Sequence, residues 1–240
     1  MTENRNISIG ETRVYQYVNL DPSDHIRFDN VGYTLIERCC PVKIATAPQS
    51  NNAIDDLQRP ILTLPLTVRR DKGREEFGWR WNNMIGNSED ARKCKSTIAP
   101  RLIVPQVDRY MPTADYCIDL PDGEPNCFIE RKADDLISSL SEGHSRFCGE
   151  HERLRQLVAA GSEAWVIVEQ SLSAILWECD YGGRRLPSET VLTTVAKWQE
   201  LYSVRWIFAG DRATAERMAL KIFRLWWERR ERAKQAELFE

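Results

Sequence analysis

The sequence contains no run of about 18 apolar residues, so no stretch of it reads as a membrane-spanning helix. Its first 15 residues, Met1 to Tyr15, are polar and lack the apolar core of a secretory signal, which points to the cytoplasm. Histidine is scarce: only His25, His144 and His151 occur. The seven cysteines are an odd number, and no two have the two-residue spacing of a zinc knuckle. They read as reduced thiols of a cytosolic protein, with Cys117 and Cys127 in strands. No glycine-rich phosphate loop is present. A membrane protein, a disulfide-stapled secreted module and a P-loop nucleotide hydrolase are thereby set aside.

What is present is globular in composition. Of 240 residues, 42% are apolar and 29% charged, with 12 Gly and 11 Pro. Collagen-like and wholly disordered chains do not have this make-up. The length fits one large domain, or one domain with an appendage.

Charge is unevenly placed. Residues 1–68 carry a net −2, residues 69–109 a net +4, residues 110–179 a net −8 and residues 180–240 a net +3. Gathered carboxylates repel one another unless they are solvated or neutralised by cations. The pattern has two readings: ordinary solvated faces, or a metal-binding carboxylate cluster flanked by basic surface that meets a polyanion. A net charge of −3 does not exclude nucleic acid, because local fields do the binding.

Residues 1–60 show only short β-prone pieces, at 12–18 and 33–36, and predict a small β-rich appendage. Ile61 to Val68 is apolar and β-branched, but Pro65 bars it from being one clean central strand. Residues 86–99 are polar and predict an exposed loop or short helix. Arg101 to Pro105 predicts a strand. Cys117-Ile118 and Cys127 to Ile129 predict a hairpin around the turn-rich Leu120 to Pro125. Helices are expected at 134–140 and 145–160, the second stopped by Gly161. Ala164 to Val168 is continuously apolar, as a buried parallel strand is. A helix capped by Ser188, a strand over 204–208 and a last helix capped by Asp211 follow, with Met218, Ile222 and Leu225 as its apolar stripe. The charged tail after residue 227 is expected to fray. Alternating strands and helices predict an α/β domain with a partly parallel sheet.

One constellation carries chemistry. Asp115 is followed by Glu130-Arg131-Lys132. On a strand, Glu130 and Lys132 share a face and Arg131 points the other way. A hairpin over 117–129 returns Asp115 to Glu130, so two carboxylates and an ammonium converge. Paired carboxylates with room for water suit Mg²⁺, and a bound metal lowers the pKa of water and polarises a phosphoryl oxygen. Lys132 can hold the attacking water or stabilise developing charge. The plain alternative is a surface ion pair at a strand end. Interleaved basic and aromatic residues (Arg69, Arg70, Lys72, Arg74 and Arg80 with Phe77, Trp79 and Trp81) can grip phosphates and bases, although either tryptophan taken singly reads as core.

The residues around this constellation resemble the XPF-type nuclease domain family. The resemblance is carried by Thr113 to Tyr116, Ile129 to Lys132, Asp135 to Leu140, Arg146-Phe147 with Glu150, and Trp165 to Val168 with Glu169. It continues through Ser188, Trp198-Gln199, Phe208 to Arg212 and Ala215-Glu216. It covers about residues 61–227, is specific from 111 onward, and is nearest in pattern to prophage-encoded members. It implies a restriction-endonuclease-like mixed sheet flanked by helices, with residues 1–60 as appendage, 61–230 as nuclease domain and 231–240 as a charged tail. It implies a metal-dependent DNA endonuclease acting in repair, recombination or phage DNA processing, in a bacterial or phage-infected cell, with Mg²⁺ or Mn²⁺ as cofactor, DNA as partner and room for a homodimer. Asp115 and Glu130 would be catalytic metal ligands, Asp71 a further ligand and Lys132 the catalytic lysine. Arg131, Arg146 and Arg74 would contact nucleic acid, with Glu75 and Asp135 as accessories.

Three departures stand out. The family's usual Gly before the Asp is Ala114 here, which a left-handed backbone would strain. The spacing after Lys132 is short, so Asp134 and Asp135 compete for one place. The upstream Asp is best matched by Asp71, which could equally be a loop aspartate; Asp108 fits less well. The altered residues leave a second reading open, a non-catalytic DNA-binding or scaffolding member.

Overall fold

The computed structural model describes residues 27–29, 32–34, 59–73, 78–81, 84–182 and 186–237. The chain divides into two compact units, Met1–Asp55 and Asp56–Glu240. In the first, β1 (Arg27–Asp29) and β2 (Gly32–Thr34) pair antiparallel, with Phe28 opposite Tyr33. The β-prone stretch read at 12–18 lies outside the described residues.

In the second unit Pro65 splits the apolar run. β3 (Ile61–Thr63) pairs in parallel with β5 (Arg101–Ile103) as a separate two-stranded ribbon. β4 (Val68–Asp71) begins beyond the proline and lies inside the main sheet. The extended segment therefore runs on through Arg69 and Arg70, which the sequence had placed in a basic surface patch. Residues 88–93 form helix α1 (Ser88–Lys93), started by an Asn87–Asp90 capping box.

The main sheet has six strands in the order β10-β9-β8-β7-β4-β6. Its members are β6 (Gln106–Arg109), β7 (Tyr116–Ile118), β8 (Cys127–Lys132), β9 (Glu163–Val168) and β10 (Arg205–Phe208), with β4. β8, β9 and β10 are parallel, β7 is antiparallel to both its neighbours, and β6 is parallel to β4. This is the mixed sheet flanked by helices that the sequence predicts.

Two apolar layers cover the sheet. On one face α6 (Arg212–Glu237) lays Ala215, Ala219, Ile222, Phe223 and Trp226 over Val68, Tyr116, Ile129 and Ile167, with Trp79 and Trp81. That stripe corrects the predicted one: Met218 and Leu225 are exposed, because Ala215 sets the phase and its i+4, i+7 and i+8 partners follow. Trp79 and Trp81 are fully buried, so they are core and not a stacking surface. The charged tail does not fray where expected, since the helix runs on to Glu237.

The other face is covered by α2 (Leu136–Leu140), α3 (His144–Ala159), α4 (Leu172–Tyr181) and α5 (Ser188–Tyr202). Gly161, at φ 91°, closes the end of α3, and Asp211 accepts from the Thr214 amide at 2.7 Å at the start of α6. Pro187, not Ser188, occupies the cap position of α5. Among the described residues no helix is long and apolar enough to cross a membrane.

Candidate active site

The predicted hairpin forms. β7 and β8 pair antiparallel, Tyr116 opposite Ile129. Asn126 fixes its closed end: its side chain donates to the Ile118 carbonyl at 2.7 Å and accepts from the amides of Cys127 at 2.7 Å and Ile118 at 3.2 Å. At the open end the Asp115 amide donates to the Ile129 carbonyl at 3.0 Å, and Asp115 Oδ2 accepts the Arg131 amide at 2.7 Å. The hairpin thus returns Asp115 to the Glu130–Lys132 segment.

Alternation along β8 sorts the side chains. Phe128 packs with the α3 face and Ile129 with the α6 face. Lys132 follows Phe128: its Nζ lies 4.6 Å from the centre of the Phe147 ring of α3, and 2.6 Å from Glu130 Oε1. The Asp115 carboxyl also lies within hydrogen-bonding reach of Glu130. Asp115, Glu130 and Lys132 are all buried, at 4%, 2% and 5% exposure.

The electrostatics show a site short of positive charge. Burial pushes the Glu130 carboxyl above its ordinary range, and nearby Glu150 adds to this; Lys132 and Asp115 oppose the rise without cancelling it. Burial works against the Lys132 charge, but Glu130 prevails and holds the ammonium above its ordinary range. Glu130 Oε2 is buried, and no donor among the described residues reaches it. A buried carboxylate oxygen without a donor costs on the order of 1–3 kcal/mol. With the Asp115 carboxyl as a neighbour, such a group calls for a cation or a shared proton. Mg²⁺ and Mn²⁺ are hard cations that take carboxylate oxygens and keep several waters, so Asp115 with Glu130 fits them. The fit is that of two carboxylates: among the described residues no group of three or more His, Cys, Asp or Glu side chains is arranged to hold one ion.

Asp71 ends β4 beside the pair. It is buried, its amide donates to the Asp115 carbonyl at 2.9 Å, and its Oδ1 accepts the Met111 amide at 3.0 Å. It is a strand residue, not a loop aspartate. Asp108 lies on the other side of β4, paired with Arg70 at 2.8 Å. Asp135 stands at the start of α2 with Oδ2 4.0 Å from Lys132 Nζ, whereas Asp134 is exposed; the geometry selects Asp135 as the lysine's neighbour. Arg146 is exposed on the first turn of α3, next to Phe147.

Arg131 points to the α6 face, largely buried, with Nε 2.8 Å from Glu169 Oε1. Arg74 and Glu75 lie outside the described residues. Arg69 pairs with Asp119 and Asp122, and Arg70 with Asp108, so these two arginines are committed to carboxylates of the chain itself. Ala114 has φ 62° and is fully buried, so the left-handed backbone that normally favours glycine is retained without one. For a residue with a Cβ that conformation costs roughly 1–2 kcal/mol.

Two participants were given no role of their own from the sequence. Glu150 is buried, and its charge acts on Glu130 and Lys132. Its place three residues after Phe147 and four before Leu154, on the buried stripe of α3, was the available signal. Glu169, one of the residues that carry the family resemblance, holds Arg131 and Trp79.

A buried Asp–Glu–Lys constellation at the ends of the two central strands of a mixed α/β sheet is the site this fold presents. No protein-family model and no curated protein sequence matches the chain. Among solved structures it is similar to XPF from Aeropyrum pernix, at 19% identity and a TM-score of 0.44, over 72% of this chain and 71% of that one. It is also similar to XPF from Aeropyrum pernix in complex with DNA, at 17% identity and a TM-score of 0.40, over 71% of this chain and 66% of that one.

Proposed function

We propose that the second unit is a restriction-endonuclease-like, metal-dependent DNA endonuclease of XPF type. The observation that carries this reading is the buried Glu130 carboxyl, which neighbours that of Asp115: its Oε1 takes Lys132, and its Oε2 meets no donor among the described residues. Asp115 and Glu130 would hold Mg²⁺ or Mn²⁺, and Asp71 stands next to them on β4. The bound ion supplies positive charge to a phosphoryl oxygen and lowers the pKa of a coordinated water. The chain's own residues do the rest. Asp115 and Glu130 fix the position of attack, and the Arg131 amide orients Asp115. Lys132 holds the attacking water or stabilises charge developing on the phosphate. The layer formed by Phe147 and the adjoining buried side chains keeps bulk water from the inner side of the site. Arg146, exposed on the first turn of α3, would meet a backbone phosphate. A cytoplasmic role in repair, recombination or phage DNA processing, and a homodimer, belong to the same proposal.

Binding without cutting is the second reading, and one observation favours it: the Lys132 ammonium is closed onto Glu130 instead of being open to a substrate. Incubating the full chain with plasmid, single-stranded and forked DNA, with Mg²⁺ or Mn²⁺ and with chelator, separates the two. Metal-dependent cutting supports the endonuclease. Retention of DNA with no cutting under any metal supports the binding protein.

A further inference from the structure

We infer that Glu169 is a positioning residue for the candidate site and acts on it from the opposite face of the sheet. The inference rests on the functional reading above and extends it to a residue that does not touch the carboxylate pair.

Glu169 is the first residue after β9, and its amide donates to the Lys132 carbonyl at 2.8 Å. Its Oε1 accepts two bonds at once, from Arg131 Nε at 2.8 Å and from the Trp79 ring N–H at 2.8 Å. The Arg131 guanidinium lies 5.9 Å from the centre of the Trp79 ring. Trp79 in turn stacks on Tyr116, with ring centroids 4.9 Å apart and planes 14° from parallel, and its amide donates to the Tyr116 hydroxyl at 2.6 Å. Tyr116 is the chain neighbour of Asp115, and the Arg131 amide closes the loop on Asp115 Oδ2 at 2.7 Å.

These contacts form one closed circuit: Glu169, Arg131, Asp115, Tyr116, Trp79 and back to Glu169. Only Asp115 in it faces the α3 side; the other side chains lie on the α6 side. Bonds to an ionised acceptor are roughly twice as strong as neutral ones, and Arg131 and Glu169 are largely shielded from water, which limits screening. The circuit therefore sets where the ends of β7, β8 and β9 lie relative to one another, and with them the direction of the Asp115 carboxylate. A functional carboxylate must be held to within about 0.5 Å, and groups that orient a metal ligand typically change metal affinity by about 10–100-fold when removed.

The test uses the full chain with Glu169→Gln, and with Trp79→Phe as a second variant that removes the ring N–H together with part of the indole stacked on Tyr116. Two quantities are read: exchange of the Arg131 amide by hydrogen-exchange NMR, and Mn²⁺ affinity by calorimetry. Glu169→Gln is expected to speed Arg131 exchange about tenfold and weaken Mn²⁺ binding about tenfold. Trp79→Phe should do the same to a smaller degree, with amides of α6 unchanged in both. A merely structural role would lower the melting temperature and speed exchange everywhere while leaving Mn²⁺ affinity alone. Arg131 exchange and Mn²⁺ affinity within about twofold of wild type in both variants overturn the inference. Should the wild type itself take up no Mn²⁺, the functional reading falls, and the Arg131 amide still decides for or against the circuit.

Discussion

Lys132 Nζ lies 2.6 Å from Glu130 Oε1, and both side chains are buried beneath α3. The lysine is the cation paired with Glu130, and the charges of Asp135 and Glu150 also favour its ammonium form. Removing one member of a buried ion pair typically costs about 3–5 kcal/mol, because the other charge is left uncompensated. Lys132→Met should therefore destabilise the protein strongly. Its stability should also become cation-dependent: at about 100 times the dissociation constant a bound ion restores about 2.7 kcal/mol. Melting curves with and without Mn²⁺ check this. The expected result is a larger metal-induced rise for Lys132→Met than for wild type; equal rises speak against a shared cation pocket.

The hairpin that presents Asp115 depends on Asn126, which makes three buried side-chain bonds to the two strands. Asn126→Ala leaves buried backbone groups unsatisfied, at about 1–3 kcal/mol each. A net loss of roughly 2–4 kcal/mol is expected on this basis, read from urea denaturation midpoints. A change below about 0.5 kcal/mol, the range of ordinary surface substitutions, would show that the strands hold register without it.

His151 provides a pH signature. It lies fully buried among Phe147, Trp198, Tyr202 and Trp206, and burial pushes its imidazole down from 6.5 to about 4. The folded protein keeps the ring neutral while the unfolded chain takes a proton below its ordinary pKa. Stability is therefore complete above 6.5 and declines as the pH falls towards 4, by roughly 3 kcal/mol in total. Denaturation midpoints at pH 7 and 5 for wild type and His151→Phe should show a shallower acid slope in the variant. Identical slopes would mean that other groups dominate.

Asp90 and Arg224 tie α1 to α6 through two bonds, at 2.6 and 3.1 Å, with Asp90 fully buried. Burial favours the neutral acid, but the Arg224 guanidinium, the Asn87 amide and Lys93 together outweigh it and hold the Asp90 carboxyl below the usual range. Its stabilisation is thus present above the ordinary carboxylate pKa and is lost as the pH falls through the lowered value. Arg224→Met should cost about 3–5 kcal/mol at pH 7, and less in strong acid, where wild type has itself lost the pair. Thermal unfolding of both proteins across this range checks the sign.

Much of this architecture was legible because it is local. The turn-rich 120–125 segment predicts the hairpin, the apolar 164–168 run predicts the buried parallel strand, and period-two alternation separates Arg131 from Glu130 and Lys132. The phase of α6 was not legible, because small residues such as Ala215 and Ala219 carry the core stripe while larger Met218 and Leu225 face water. Nor was β4: charged Arg69 and Arg70 look like surface, yet each finds a carboxylate partner and continues a strand between two others. The tie between Glu169, Arg131 and Trp79 joins residues up to 90 positions apart, which no local pattern reveals.

The most direct test of the central claim is single-turnover cleavage of labelled DNA in Mg²⁺ or Mn²⁺ by wild type beside Glu130→Gln and Asp115→Asn. Wild type should cut only with metal, and each variant should fall by at least about a thousandfold, roughly 4 kcal/mol of lost transition-state stabilisation, while melting as a folded protein and retaining DNA. Undiminished cutting by either purified variant would contradict the account.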